Sequence, residues 1–228
     1  MKLRVICADL PAPPLFWRDS KGERFGYETE VAREIARRLE RRCEFIYVNW
    51  LDFYPTLNSG EGDVVLCGQG VSEYRQKLVD FSVPYAIFDE AVMCLRGANI
   101  YSPKDLIGKK VGAIANSVNM ALAETFEGAI TVPFKGDTKD VLGEMVESLR
   151  LGDIDAFVDD DVALVPLAEE KDLAIAFTHP SRNAWACALR KGNKTLRLEI
   201  NQVLESMKED GTLKAIWEHE IKILPFPF

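Results

Sequence analysis

The sequence predicts an α/β protein built as two mainly parallel sheets flanked by helices, and three observations predict it. Short apolar runs at residues 3–8, 45–48 and 63–67 alternate with helix-period segments, and the alternation restarts at 110–114, 130–134 and 154–158; such a series means parallel strands joined by crossover helices. The first run carries apolar residues on both faces rather than at every second position only, as a strand buried on both faces does. The 228 residues suffice for one large domain or two modest ones.

Composition excludes several classes. Hydrophobic residues at 47% and charged residues at 28% are the mixture of a folded globular chain, neither disordered nor fibrous. Lys+Arg 28 against Asp+Glu 36 gives a net charge of −8, which argues against nucleic acid as a partner. Arg33, Arg37, Arg38, Arg41 and Arg42 alternate with Glu30, Glu34, Glu40 and Glu44, the pattern of a solvated helix face. No apolar run approaches the roughly 18 residues of a membrane-spanning helix. The chain starts almost directly on a strand, so a secretory leader is expected to be absent or already removed. Five scattered cysteines, Cys7, Cys43, Cys67, Cys94 and Cys187, read as buried free thiols, and their odd number leaves a cytoplasmic location open.

In chain order, residues 3–8 are a buried strand ended by Asp9, followed by a Pro-rich turn and a polar turn at 19–22 suited to a hairpin tip. Val31, Ile35 and Leu39, with Ala32 and Ala36, recur at helical spacing over 28–42. A strand at 45–48 leads to Trp50 just past its end, then to a short helix at 52–58 that tolerates Pro55 near its first turn. After the strand at 63–67 the chain enters Gly68-Gln69-Gly70-Val71-Ser72, with Arg75 at the start of a short helix. Glycines there let backbone approach a ligand closely, a helix start offers unpaired N–H groups, and Arg75 supplies a rigid fork for a carboxylate, so this corner is expected to hold an anion. Asp9, Trp50 and Gly68 all lie at strand carboxyl ends, where open α/β sheets bind ligands.

A strand at 91–95 precedes the second series. Ser102-Pro103 reads as a cap with proline at the first helical position, and Asn116-Ser117 as the cap of a helix over 118–126. Asp137-Thr138 open a helix with Val141, Leu142, Met145, Val146 and Leu149 on one face, and the strand at 154–158 ends in Asp159-Asp160-Asp161. Residues 162–170 read as a helix interrupted by Pro166, followed by separate strands at 173–177 and 184–189. Helices at 196–208 and 212–222 close the chain, and the apolar tail Ile223-Leu224-Pro225-Phe226-Pro227-Phe228 is expected to pack down.

Enzyme and metal signatures are missing from the sequence. Gly68-Gln69-Gly70 lacks the third glycine of a dinucleotide turn, and there is no phosphate loop, nucleophile elbow, zincin motif or paired-cysteine spacing. His179 and His219 stand far apart, so no metal and no cofactor is expected.

Several pieces occur together in a familiar order: Phe25-Gly26-Tyr27-Glu28 entering a long helix, Gly62-Asp63-Val64-Val65, the Gly68 to Arg75 corner, and Val79-Asp80-Phe81-Ser82-Val83-Pro84-Tyr85. Gly108-Lys109-Lys110-Val111-Gly112, Gly152-Asp153-Ile154-Asp155-Ala156 and Met207-Lys208-Glu209-Asp210-Gly211-Thr212 follow. Over nearly its whole length the chain resembles the bacterial extracellular solute-binding proteins of the polar amino acid type, also called type 2 periplasmic binding proteins. The resemblance implies a two-lobed fold, with lobe 1 from residues 1–90 and 185–228, lobe 2 from 91–184, two crossing strands, and one ligand clamped in the cleft by hinge closure. It implies a monomer that binds a small, amino-acid-like carboxylate at the periplasmic or extracellular surface and presents it to the permease of an ABC-type importer.

Residue by residue, Arg75 matches the arginine that pairs the ligand carboxylate, Trp50 an aromatic packed on the ligand, Gly68 a backbone contact, and Ser117 a hydroxyl that completes the carboxylate grip. Asp9 and Asp160 match acids facing the ligand amine. Gly70 stands where a threonine usually holds the carboxylate, Ala12 where a stacking aromatic is common, and Ile114 where some members carry a polar contact, which makes for a roomier and less polar pocket. Plainer roles stay open for each: core for Trp50, helix caps for Ser117 and Asp160, structure for Asp9. Two other functions also stay open, an acid/base lyase resembling cyclohexadienyl dehydratases and a sensory module detached from a receptor.

Overall fold

A computed structural model of the protein describes residues 1–138 and 140–228. The fold is α/β and two-lobed, and the chain divides into a unit of Met1–Ile87 with Ala184–Phe228 and a unit of Phe88–Asn183. Both boundaries fall inside long strands, β6 (Asp80–Leu95) and β10 (Leu173–Leu189).

In the first unit, β1 (Lys2–Cys7) pairs in parallel with β4 (Arg42–Tyr47) and β5 (Val64–Val65), and the end of β10 runs antiparallel to β5 through Ala188↔Val65 and Leu189↔Val64. Leu3, Val5, Ile6 and Cys7 of β1 are all buried, as a central strand covered on both faces requires. The polar turn at 19–22 is the tip of a hairpin between β2 (Trp17–Arg18) and β3 (Arg24–Phe25), closed by Asp19 Oδ1 accepting from the Lys21 and Glu23 N–H groups. Helix α1 (Tyr27–Arg38) buries Val31, Ala32, Ile35 and Ala36, while Glu34 on its outer side pairs with Arg37 and Arg38. Helix α2 (Phe53–Ser59) stops at Gly60, which takes the left-handed conformation at φ 83°. Asp63 accepts from the Arg4 N–H at 2.8 Å and pairs its guanidinium at 2.6 Å, fixing the entry to β5 against β1.

Gly62 lies under that junction. A Cβ there would stand 2.3 Å from Ile6 Cγ1, so the fully buried Ile6 side chain would have to shift within the packed core. Gly62→Ala is therefore expected to destabilise the protein by about 2–3 kcal/mol, an overpacking effect that urea unfolding monitored by tryptophan fluorescence would measure; a midpoint equal to the parent's would refute it.

The second unit repeats the plan. In it β7 (Lys110–Ile114) pairs in parallel with β8 (Ile130–Phe134) and β9 (Ala156–Asp160), and β9 pairs antiparallel with the end of β6, placing Glu90 opposite Asp160. Along β6, Val92 and Cys94 enter one buried cluster while Ala91 and Met93 enter another, so alternate side chains fill both faces. Helices α4 (Val118–Ala123), α5 (Val141–Leu151) and α6 (Asp161–Leu167) belong to this unit. Asp155 accepts from the Lys110 N–H at 2.8 Å and the Lys109 ammonium at 3.1 Å, the counterpart of Asp63. In the first unit α7 (Lys194–Glu209) and α8 (Thr212–Glu220) close the chain, and the tail packs down as expected, with Trp217 Nε1 donating to Leu224 O and Phe226 set edge-on to Trp217.

Some boundaries differ from the sequence pattern. The strands expected at 173–177 and 184–189 are one continuous β10, whose middle exposes His179 and Pro180; a segment with neither face buried carries no hydrophobic period. β6 likewise starts at Asp80 and takes in the motif from Asp80 to Tyr85. The strand expected at 154–158 runs Ala156–Asp160, which puts Asp159 and Asp160 in the strand rather than after it. Helix α4 ends at Ala123, beyond which tighter turns continue, with Thr125 N–H on Leu122 O and Phe126 N–H on Ala123 O. Helix α5 begins at Val141 with Asp140 as its cap, later than the Asp137-Thr138 start expected. All five cysteines are free, and all but Cys43 are buried.

Candidate functional site

In the first unit the corner after β5 is fixed by side chains from four directions. Gly68 takes φ 60°, a left-handed conformation open to glycine without penalty. A Cβ on it would lie 3.5 Å from Trp50 Cη2 and 3.6 Å from Trp185 Cη2, so the missing side chain is where two indole rings meet. The Gly68 N–H donates to Glu28 Oε1 at 2.8 Å, and the carbonyl of the same peptide, Cys67 O, accepts from Gln69 Nε2 at 2.7 Å. Gln69 is held in turn by the Tyr54 hydroxyl at 2.6 Å. Gly68 O accepts from the Gly70 N–H, and the strand exit is tied to β10 by Val71 N–H on Ala184 O and Ala186 N–H on Gln69 O.

Arg75 closes this corner. Helix α3 (Glu73–Leu78) is capped by Ser72, whose Oγ accepts from the Arg75 N–H at 3.2 Å. The guanidinium is buried, donates Nη1 to Gly70 O at 2.9 Å, and lies with Cζ 5.7 Å from the centre of the Trp50 ring. Trp50 opens a 3-10 turn, half-buried, and packs on Phe53 at 5.1 Å. The structure thus brings Trp50, Gly68, Gly70 and Arg75 together. Asp9 has another partner: it is exposed, and both of its oxygens are 2.8 Å from Arg18 Nη1.

In the second unit the candidates are Asp160 and Ser117. Asp160 is buried beside Glu90 and Asp159, with Asn183 Nδ2 donating to its Oδ1 at 3.2 Å. Asp159 Oδ1 accepts from the Asp160 N–H at 2.8 Å and from Asn119 Nδ2 at 3.3 Å. Burial first, and then the charges of Asp159 and Glu90, push the Asp160 carboxyl well above the ordinary carboxylate range. Burial likewise raises Glu90, and takes Asp159 and Asp161 up to about 6. Glu90 Oε1 is buried and meets no donor among the described residues. Among the described residues no set of three or more His, Cys, Asp or Glu side chains is placed to hold a metal ion. What this acid group can do chemically is favour a cation. Ser117 caps α4, its Oγ accepting from the Met120 N–H at 3.0 Å while giving its own proton to Ile114 O at 2.6 Å; unless it turns, the hydroxyl has only a lone pair to offer.

Sequence reasoning missed Trp185, Asn119, Asn183 and the tie from Glu28 to Gly68. Trp185 stands inside the apolar run 184–189, which marks it only as a strand residue. Asn183 carried a usable signal, a polar residue at the mouth of a strand whose next six positions, 184–189, are apolar. Asn119 reads as an ordinary helix residue, and nothing local marks Glu28 as a partner of residue 68.

A profile of the bacterial extracellular solute-binding proteins, family 3, matches residues 5–221. Among characterised relatives, the L-cystine-binding protein TcyJ of Escherichia coli strain K12 is 31% identical over 212 residues, 90% of this chain and 77% of that protein. Among solved structures, an ancestral arginine-binding protein bound to arginine superposes with a TM-score of 0.84 at 31% identity, over 96% of this chain and 97% of that one. The ancestral amino acid-binding protein AncCDT-1, described as a precursor of cyclohexadienyl dehydratase, gives a TM-score of 0.83 at 25% identity over 96% and 94%.

Proposed function

Since this chain belongs to the bacterial extracellular solute-binding proteins of family 3, we propose that it binds an amino acid or amino-acid-like carboxylate at the periplasmic or extracellular surface. It delivers that ligand, as a monomer and without catalysis, to the permease of an ABC-type importer. The observation that carries this is the buried Arg75 guanidinium, set on Gly70 O and beside the Trp50 ring. Arg75 takes the ligand carboxylate as a charge-assisted pair, and Trp50 supplies an apolar wall. Gly68 and Gly70 contribute backbone, chiefly through carbonyl lone pairs, because the Gly68 N–H is given to Glu28.

In the second unit Asp160 takes the ligand ammonium. Its crowding by Glu90 and Asp159 supports the role, since a cation relieves like-charge repulsion that the Asn119 and Asn183 amides only dilute. Ser117 assists at the start of α4, and Asp9 joins by releasing Arg18. The relatives named for cystine and arginine point to an α-amino acid with a long, polar side chain. Calorimetric titration with L-cystine, L-arginine, L-glutamine and a set of organic acids tests this: at least one amino acid is expected to bind with saturable heat, and silence across the amino acids would overturn the proposal.

A further inference from the structure

Glu28 is the least expected partner of the corner. It sits in the first turn of α1, is 1% exposed, and its Oε1 captures the N–H of the Gly68 peptide at 2.8 Å. The same oxygen accepts from the Tyr85 hydroxyl of β6, while Oε2 meets no donor among the described residues. At its other end the corner is held by the opposite charge, Arg75 on Gly70 O at 2.9 Å. We infer that Glu28 is a positioning residue for ligand binding: as a carboxylate it fixes the Cys67–Gly68 peptide and hence the shape of the corner, and taking up a proton loosens it.

The competition is local. A proton on Oε2 finds no acceptor there, and a carboxylic acid that turns its O–H toward Oε1's partners gives up the acceptor that Gly68 needs. Proton uptake and the Gly68 hydrogen bond therefore oppose each other. Burial, set against the hydrogen bonds from Tyr85 and Gly68 and the charge of Arg24, lifts the Glu28 carboxyl to about 7, so the competition falls at working pH. The thiols and phenols facing it are all pushed up and away from that range by burial, and the remaining neighbour is a guanidinium. Arg24 of β3 is buried with Nη1 on Ala8 O; Cys7 of β1 and Cys187 of β10 are pushed up to about 12; and burial holds Cys67, Tyr27 and Tyr85 well above their usual ranges.

The ligand half of this inference rests on the amino-acid-binding function proposed above, so the test has two arms. In the first, the Gly68 amide resonance of the unliganded parent is followed by NMR from pH 5.5 to 8.5. One titration step near 7 is expected, absent in Glu28→Gln; a flat parent, or an unchanged step in the variant, overturns the inference. In the second, calorimetry with L-arginine, L-cystine and L-glutamine is run at pH 8 and pH 6. Parent affinity is expected to fall at the lower pH by about three- to tenfold more than that of Glu28→Gln, the scale of one titrating group. An equal fall in both proteins, or tighter parent binding at pH 6, overturns it. If none of the three amino acids binds, the functional proposal fails instead, and the amide titration alone decides the role of Glu28.

Discussion

Replacing Arg75 by alanine is expected to weaken amino acid binding by about two orders of magnitude. A charge-assisted pair between a buried guanidinium and a carboxylate contributes about 1.5–3 kcal/mol, and the upper end corresponds to about 150-fold in dissociation constant. The upper end applies because Arg75 is only 5% exposed and its orientation is already set by Gly70 O and by the face of Trp50. A ligand therefore does not have to order a flexible side chain. Arg75→Lys should recover only part of the loss, since an ammonium cannot reproduce the planar fork. Calorimetry with the best-binding amino acid reads the effect, and an alanine variant that binds within about threefold of the parent, as for an exposed ion pair, would remove Arg75 from the ligand set.

The second large effect runs in two directions at once: Asp160→Asn is expected to lower affinity while raising stability at pH 8. Asp160 is 7% exposed, and its carboxyl is held above the ordinary range by burial and by Asp159 and Glu90. A group whose folded value is raised contributes stability below its unfolded value and loses that contribution as pH rises through the folded one. Asp159 and Asp161, both up to about 6, and Glu28, up to about 7, share this sign. The parent should thus be more stable at pH 5.5 than at pH 8. Asparagine removes one buried charge, keeps an oxygen for Asn183 Nδ2, and adds an N–H₂ group for the neighbouring acids. A gain of about 1 kcal/mol at pH 8 would raise the melting temperature by about 2–4 °C in a chain of this size, and the gain should shrink at pH 5.5. The lost ammonium contact should weaken binding by about tenfold or more. A variant that melts below the parent at pH 8 would show that the carboxylate is structural rather than held against its own electrostatics for the ligand.

Much of this fold is legible in the sequence. The helices α1, α5 and α7 announce themselves by apolar residues at helical spacing, the strand β1 by apolar residues on both of its faces, and the corner by glycines between a strand and a capped helix. The family motifs carried the two-lobed architecture and named Arg75, Trp50 and Gly68, which the fold does bring together. Periodicity reports only burial on one face, so it failed where no face is buried, as in the middle of β10, and at helix ends such as that of α4, where the chain tightens without changing its composition.

The sequence by itself determined the elements, their order and the charge types available to a ligand, because those follow from local spacing and residue chemistry. Only the tertiary structure decided which groups are already spoken for. Asp9 is taken by Arg18, the Ser117 proton by Ile114 O, and the Gly68 N–H by Glu28 from 40 residues away. Hydrogen bonds between residues distant in sequence depend on how strands and helices stack, and burial, which turns an ordinary glutamate into a group titrating near 7, is a property of the packed chain that no single segment carries.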